Sequence, residues 1–425
     1  MSQSKKVKIG VFGAARGMTM INVMARHPDA ELVAICDKYR ILLDKCKKTA
    51  EETGSKITYY EDFDRFFNHD MDAVVLANYA NEHAPYAIRL LMSGRHVTSE
   101  VLPVETLAQA VALVEAVEKS GKVYTYSENY CFFSATQEMK KRYRAGDIGE
   151  FMHGEGEYVH DCESIWPKIT YGDRNHWRNR MYSTYYCTHS IGPVISITGT
   201  RPVKVVGFET PNVENMAQYG YGGGTSGMIV AQMSNGATMK SLHGHLKREP
   251  GSVWYSIYGK KGMMESDRWH DGISRIFLHQ EGNTLTENEI SYKPKPRVDN
   301  ELSRMISTHG GGDFYTMHYF LERLLDRTGG EDCIDVYQAL DMGLPGILAY
   351  RSICSGNVPV EVPDFRDKAA RENYRNDNWC TRPEIAGDNP APLHSFGKVD
   401  IPDSVYGQVK RIWEEKRGSE LSEYC

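Results

Sequence analysis

The chain has 425 residues, 41% of them hydrophobic and 25% charged. These are ordinary globular values, and the length suggests about two to three domains. The formal net charge of -6 includes no long run of one sign, so charge gives no reason to expect nucleic acid or a membrane surface as partner. Nine cysteines, an odd number with no C-x-x-C pair, argue against a disulfide scaffold or a zinc ribbon. No apolar stretch is long enough to span a bilayer, and the opening MSQSKKVKIG does not read as a secretory signal. A reducing cytoplasm is the expected compartment.

Residues 6–12 predict a buried strand, and a helix begins near Met18. Gly10, Gly13 and Gly17 carry a G-x-x-G-x-x-x-G spacing across that junction. A second strand, ELVAICD (31–37), ends on Asp37. DAVVLANY (72–79) predicts another, followed by a helix in EHAPYAIRLLMSG that stops at Gly94. HVTSE (96–100) is a short strand. Thr106 and Gln109 form a capping box ahead of the periodic run Leu107, Ala110, Val111, Val114, Val117. That helix ends at Gly121, and VYTYSEN resumes a strand. Strands alternating with helices in this way predict an α/β domain with a doubly wound parallel sheet, residues 1–127.

The texture then changes. EFMHGEGEYVH, KVVGFET, GMIVAQM, TMKSLHGH, VWYSIYG and SRIFLHQ read as strands, with turns at Asn235-Gly236 and Gly259–Gly262. Helices are predicted over roughly 313–326 and 335–353, the second kinked at Gly343, Pro345 and Gly346. These elements give an α+β domain over 128–355 with an open, mostly antiparallel sheet. Residues 356–425 read as an extension wrapping the surface, with a last helix in DSVYGQVKRIWEEK (403–416).

The glycine segment has a physical use. Its first glycine permits a tight turn, the second lets backbone approach a pyrophosphate, and the helix N-terminus offers free N–H groups to phosphate. Asp37, at the end of the next strand, can accept both ribose hydroxyls and repels a 2′-phosphate, which favours NAD over NADP. Lys38 and Arg40 keep NADP open.

With these features the sequence resembles the Gfo/Idh/MocA oxidoreductases, and the segment ANYANEHAPYAIRLLMSGRHVTSEVLP is similar to theirs. The resemblance implies a Rossmann domain and a cofactor contacted by Gly10, Gly13, Ala14, Ala15, Arg16, Gly17, Asp37, Asn78, Asn81, His83 and Glu100. It also marks two departures. The family's dehydrogenases have E-K-P where this chain has Glu100-Val101-Leu102-Pro103, without the lysine. Their Asp-x-x-x-His is replaced by Tyr186 and His189, with Tyr185 at the aspartate position.

Five strings resemble instead the NAD-dependent glycosidases of glycoside hydrolase family 109: SENY, EYVHD, NHWRNRM, YCTHSIGP and HGGGDF. That resemblance implies catalytic roles for Glu128, Tyr158, His160, Tyr186 and His189, and substrate contacts from Trp177, Arg178, His309 and Asp313. The implied reaction is redox-neutral: transient oxidation at C3 of a sugar, proton loss at C2, elimination, hydration and reduction.

Spacing adds a geometric reading. Tyr158 and His160 are two apart on a predicted strand and share a face, with Val159 on the other. Tyr186 and His189 share a face if their segment is helical. His and Tyr suit proton transfer because neighbours can move their pKa values toward neutrality. The bland readings stand beside these. Trp177 reads first as a packing anchor, and Arg178 equally as a structural ion pair. His243 and His245 lack zinc spacing, and no metal is expected. The expected partner is a small sugar or glycoside, within a homo-oligomer and with no nucleic acid or membrane. A sugar or inositol dehydrogenase, or a non-catalytic NAD-binding sensor, are the alternatives.

Overall fold

The computed structural model describes residues 6–415, except 270–272, 283, 285 and 287–289. Residues 1–5 and Lys416, on which parts of the N-terminal and last-helix readings fall, lie outside the described residues. The chain forms two compact units, divided at Phe132/Phe133, with residues 297–340 returning to the first.

The first unit holds six parallel strands: β1 (Val7–Phe12), β2 (Ala30–Cys36), β3 (Thr58–Tyr60), β4 (Ala73–Leu76), β5 (His96–Ser99) and β6 (Tyr124–Tyr126). Their order is β3-β2-β1-β4-β5-β6, the doubly wound order that reverses between β1 and β4. The central strands are buried on both faces: Ile9, Val11, Ala34, Ile35, Val74 and Leu76 have no more than a trace of exposure. That explains why they read as continuous apolar runs rather than alternating ones. The helix Leu107–Ser120 starts as its sequence predicts, with Thr106 Oγ1 accepting the Gln109 amide at 3.1 Å. The reciprocal bond is displaced by one residue: Gln109 Oε1 accepts from the Glu105 amide at 2.8 Å.

The returning segment contributes the helix Gly312–Leu324 and one further bridge. Ile334 pairs antiparallel with Tyr126, whose amide donates to the Ile334 carbonyl at 2.9 Å. The next helix, Val336–Cys354, runs on through Pro345 as one element.

The second unit is built on nine strands: β7 (Phe151–Val159), β8 (Pro202–Glu209), β9 (Ser226–Met233), β10 (Thr238–Gly244), β11 (Ser252–Gly259), β12 (Gly262–Ser266), β13 (Ile276–Gln280), β14 (Ser291–Tyr292) and β15 (Val360–Glu361). The order is β14-β13-β12-β11-β7-β10-β9-β8-β15. Only β7 and β10 pair in parallel; every other neighbour is antiparallel. β15 lies in the stretch expected only to wrap the surface, and it forms the edge of the sheet beside β8.

The helix Thr188–Thr198 lies against β7 because β7 has no side chain where the two meet. A Cβ on Gly156 would sit 1.8 Å from the Ser190 carbonyl oxygen, and one on Gly154 would sit 3.0 Å from Val194. Ser190 Oγ also meets Ser241 Oγ of β10 at 2.6 Å. On the same face Gly346 comes close to Thr184, whose hydroxyl donates to the Gly346 carbonyl at 2.8 Å. These approaches fix the backbone on both sides of Tyr186 and His189.

Candidate active site

In the first unit, Gly13 has φ +99°, and a Cβ there would lie 2.3 Å from the Ala77 backbone. A Cβ on Gly17 would lie 2.0 Å from the Gly13 carbonyl oxygen. Both glycines are therefore required for the loop to turn against β4. The helix Met18–Arg26 that follows has no side-chain N-cap and no acid in its first turn, so its positive end is left for an anion. Asp37 is buried, and its carboxylate is fixed by two amides, Ala14 at 2.7 Å and Tyr39 at 2.8 Å. Burial pushes the Asp37 carboxyl up, and those two bonds pull it back.

The basic residues that kept NADP open are engaged elsewhere. The Lys38 ammonium lies over the rings of Tyr79, at 4.2 Å, and Tyr39. Arg40 is paired with Glu61 and Asp44. At the end of β4, the buried Asn78 Oδ1 has no hydrogen-bond partner among the described residues, an acceptor available to a ligand. Asn81 is buried nearby in chain order. His83 does not present a nitrogen outward. It is fully buried, with Nδ1 at 2.9 Å from the Leu102 carbonyl and Nε2 at 3.2 Å from that of Asn78. Burial lowers its pKa to about 4, so it is a neutral strut between the loops that carry Asn78 and Leu102.

Arg16, Glu100 and Asp313 form one ionic cluster. Arg16 Nη2 lies 2.6 Å from Asp313 Oδ1 and 2.7 Å from Glu100 Oε1. Asp313, at the start of the helix Gly312–Leu324, is fully buried and also accepts from Asn129 (2.9 Å) and Thr308 (3.1 Å). His309 Nδ1 lies 2.8 Å from the same carboxylate. Burial alone would raise the Asp313 carboxyl, but Arg16 and His309 hold it well below the ordinary carboxylate range. Asp313 thus tethers the glycine loop, and its oxygens are already occupied. His309 keeps an exposed edge, in a left-handed conformation at φ +46°. Glu128 is also part of this unit, fully buried, with Oε1 accepting from the Tyr130 amide at 3.2 Å. Val101, at the position of the missing lysine, is only 6% exposed.

The second unit brings together Tyr158, His160, Tyr186, His189, Trp177 and Arg178. Tyr186 sits in a turn just before the helix Thr188–Thr198, with Cys187 already in the right-handed helical region. The three-residue spacing therefore works as it would in a helix: His189 Nε2 lies 3.1 Å from the Tyr186 hydroxyl. The Tyr158 ring is 4.9 Å from His189 and 5.9 Å from Tyr186. The Arg178 guanidinium lies over Trp177, at 4.4 Å, and over Tyr186, at 5.3 Å. Trp177 is both packing anchor and neighbour of the cluster, 5.6 Å from Tyr186.

Two residues not weighed from sequence, and a third weighed there only as a metal ligand, support this cluster. The first is Tyr255. Pro193 lies four residues after His189 and has no N–H, so the His189 carbonyl loses its helical donor. The Tyr255 hydroxyl replaces it, donating at 2.6 Å. The second is Cys162, whose Sγ is 3.1 Å from His160 Nδ1. Burial pushes that thiol up to about 12, so it stays protonated and able to donate. A donor at Nδ1 favours the His160 tautomer with its proton on Nε2. The third is His243, in register with Tyr158 across the parallel pair β7–β10. It is buried, with its pKa lowered to about 4, and neither ring nitrogen has a well-formed hydrogen bond among the described residues. No group of three metal-ligating side chains occurs among the described residues, and no described helix is long and apolar enough to cross a membrane.

Comparison with known proteins agrees with both halves. Residues 7–128 match the model of an oxidoreductase family with an NAD-binding Rossmann fold, Gfo/Idh/MocA. Residues 203–371 match the C-terminal domain of glycosyl hydrolase 109. The chain is 26% identical over 398 residues to glycosyl hydrolase family 109 protein 1 of Bacteroides thetaiotaomicron, covering 84% of each chain. It is 27% identical over 402 residues to the protein of the same name from Phocaeicola vulgatus, again covering 84% of each. Among solved structures, the fold is shared with an oxidoreductase from Agrobacterium radiobacter in complex with NAD+, L-tartaric acid and magnesium. That match has a TM-score of 0.66 at 17% identity and covers 84% of this chain and 99% of that one. Scyllo-inositol dehydrogenase from Lactobacillus casei gives a TM-score of 0.64 at 19% identity, covering 85% and 99%.

Proposed function

We propose that this chain, an NAD-dependent enzyme that belongs to the Gfo/Idh/MocA oxidoreductases and carries the glycosyl hydrolase 109 C-terminal domain, cleaves a glycoside without net redox change. The observation that carries the reading is the 3.1 Å contact between His189 Nε2 and the Tyr186 hydroxyl, with the Tyr158 ring beside both. Two proton-transfer groups in contact, and a third within a ring's width, suit a reaction that moves more than one proton.

The glycine loop and Asp37 would hold NAD, which when bound would supply the hydride acceptor and donor for C3 of the sugar. His189, steadied by Tyr186, takes the proton of the C3 hydroxyl. The 3-ketone acidifies the proton on C2, and Tyr158, acting as its phenolate, removes it. His160 is the less suitable base, because the Cys162 thiol favours a proton already on its Nε2. The electron pair left at C2 expels the C1 substituent, which takes the proton that Tyr158 removed and so regenerates the base. Water then adds at C1, C2 regains a proton and His189 returns its own. Arg178 and Trp177 supply a cationic and an aromatic face for the sugar, with no carboxylate paired to Arg178 among the described residues. The buried Val101 in place of a lysine supports a route other than simple dehydrogenation.

The test uses purified protein with no added cofactor, incubated with p-nitrophenyl α- and β-glycosides in D2O. Nitrophenol release with deuterium at C2 and no lasting absorbance at 340 nm is the expected result. Steady NADH formation from free sugars and added NAD, without nitrophenol, would replace this reading with a dehydrogenase. Binding of NAD with neither reaction would leave a sensor.

A further inference from the structure

We infer that the C-terminal helix Asp403–Glu415 is the positioning element of the segment 171–180, and that Trp413 acts through it on Trp177 and Arg178. The inference rests on the reading of those two residues as substrate contacts. The helix buries two residues, Val409 and Trp413, four apart on one face. The Trp413 ring lies 5.1 Å from that of Tyr171.

Tyr171 and Gly172 are both left-handed, at φ +59° and +65°, and they end the short helix Trp166–Thr170. For tyrosine that conformation is strained, and it persists only where the surroundings hold it. Here the C-terminal helix holds it. A Cβ on Gly172 would lie 2.4 Å from the Lys410 amide nitrogen and 2.7 Å from the Tyr406 carbonyl oxygen. The contact is therefore backbone on backbone, and only glycine fits it.

Further ties follow on both sides. Arg174 pairs with Asp403 and lies 5.7 Å from the Tyr406 ring. The Tyr406 hydroxyl donates to the Gly220 carbonyl at 3.1 Å. Upstream in the same extension, Thr381 Oγ1 donates to the Arg180 carbonyl at 2.7 Å. From Tyr171 the rings continue without a gap. His176 is edge-on to Tyr171 at 5.7 Å, Trp177 stacks on His176 at 6.1 Å, and Tyr186 follows at 5.6 Å. One series of packed rings thus links the C-terminal helix to the Tyr186–His189 pair.

The experiment compares the full chain with Trp413→Ala, Trp413→Phe and Tyr406→Phe by hydrogen–deuterium exchange and kinetics. In Trp413→Ala, peptides within 171–180 should exchange about tenfold faster while those of β1–β6 and NAD retention are unchanged. KM for a cleaved nitrophenyl glycoside should rise about tenfold, with a smaller change in kcat, and Trp413→Phe should restore both. If Trp413→Ala does not fold, Tyr406→Phe, which removes only the bond to Gly220, should give a smaller change in the same peptides. Unchanged exchange in these variants overturns the inference, and so does faster exchange with unchanged KM. Faster exchange in a protein that cleaves no glycoside even as wild type would overturn the proposed reaction and leave the positioning role in place.

Discussion

At the scale of single residues, the candidate site is held by groups whose partners were removed by a neighbour. Pro193 takes the helical donor from His189, and Tyr255 supplies another from strand β11. Tyr255→Phe leaves a buried carbonyl unsatisfied, which costs about 1–3 kcal/mol. The urea midpoint should fall by a matching amount, and turnover should fall further because His189 loses its seat. An unchanged midpoint would mean that the carbonyl finds another donor. His189→Ala should abolish turnover but leave NAD bound, since the cofactor residues lie in the first unit. Loss of NAD from that variant would move His189 out of the proton-transfer role. Asp37→Ala should do the reverse, with weaker NAD binding measured by calorimetry.

Among the elements, the tie between the glycine loop and the helix Gly312–Leu324 makes a separate prediction. Asp313→Asn keeps the shape but removes the charge that Arg16 and His309 face. Breaking a buried pair costs about 3–5 kcal/mol, and here roughly 2–3, because Glu100 still partners Arg16. Thermal unfolding should come earlier and NAD affinity should fall. A normal affinity would show that Arg16 does not set the loop.

This tie also marks the limit of what the sequence reveals. Strands β1, β2, β4 and β5 are legible because burial on both faces leaves continuous apolar runs, and Thr106 and Gly121 bracket their helix by local chemistry. Asp313, by contrast, is legible as a motif residue and not as a tether, because its partner lies near the other end of the chain. The helices Arg40–Thr53 and Ser134–Arg144 are not legible, because their buried faces include Cys, Thr and Gln among the apolar residues. β3 has three residues and β15 two, too short for any period. In the site, the spacings of Tyr158 with His160 and Tyr186 with His189 are local and readable. His243 beside Tyr158 depends on the parallel pairing of β7 with β10, and Tyr255 on a tertiary contact, so neither is.

For the molecule as a whole, buried neutral histidines govern the response to acid. His27 lies against His318 at 3.1 Å, and burial lowers its pKa to about 4. His83 and His243 are likewise lowered to about 4, and His245 to about 3, each chiefly by burial. The unfolded chain takes up these protons near pH 6.5, and the folded chain only near 3–4. Between those limits the unfolded state binds more protons, so stability rises with pH and is lost as pH falls from about 6.5 toward 4. At pH 5 each histidine contributes about 2 kcal/mol to that loss. The unfolding temperature should therefore drop steeply between pH 7 and 5, and replacing His243 with Gln should shallow the drop. An unfolding temperature flat over that range would mean that these imidazoles are protonated in the fold.

The return of residues 297–340 to the first unit has a consequence for synthesis. A chain leaving the ribosome presents all six parallel strands by residue 126, yet Arg16 must wait for Asp313 and Tyr126 for Ile334. The entire run from Phe133 to Pro296 emerges in the interval. Domains that fold one after another during translation need their parts in order. Here the earlier unit is completed only after most of the later one has appeared, so the nascent nucleotide-binding half passes through a long stage with an open edge and an arginine short of its second counter-charge.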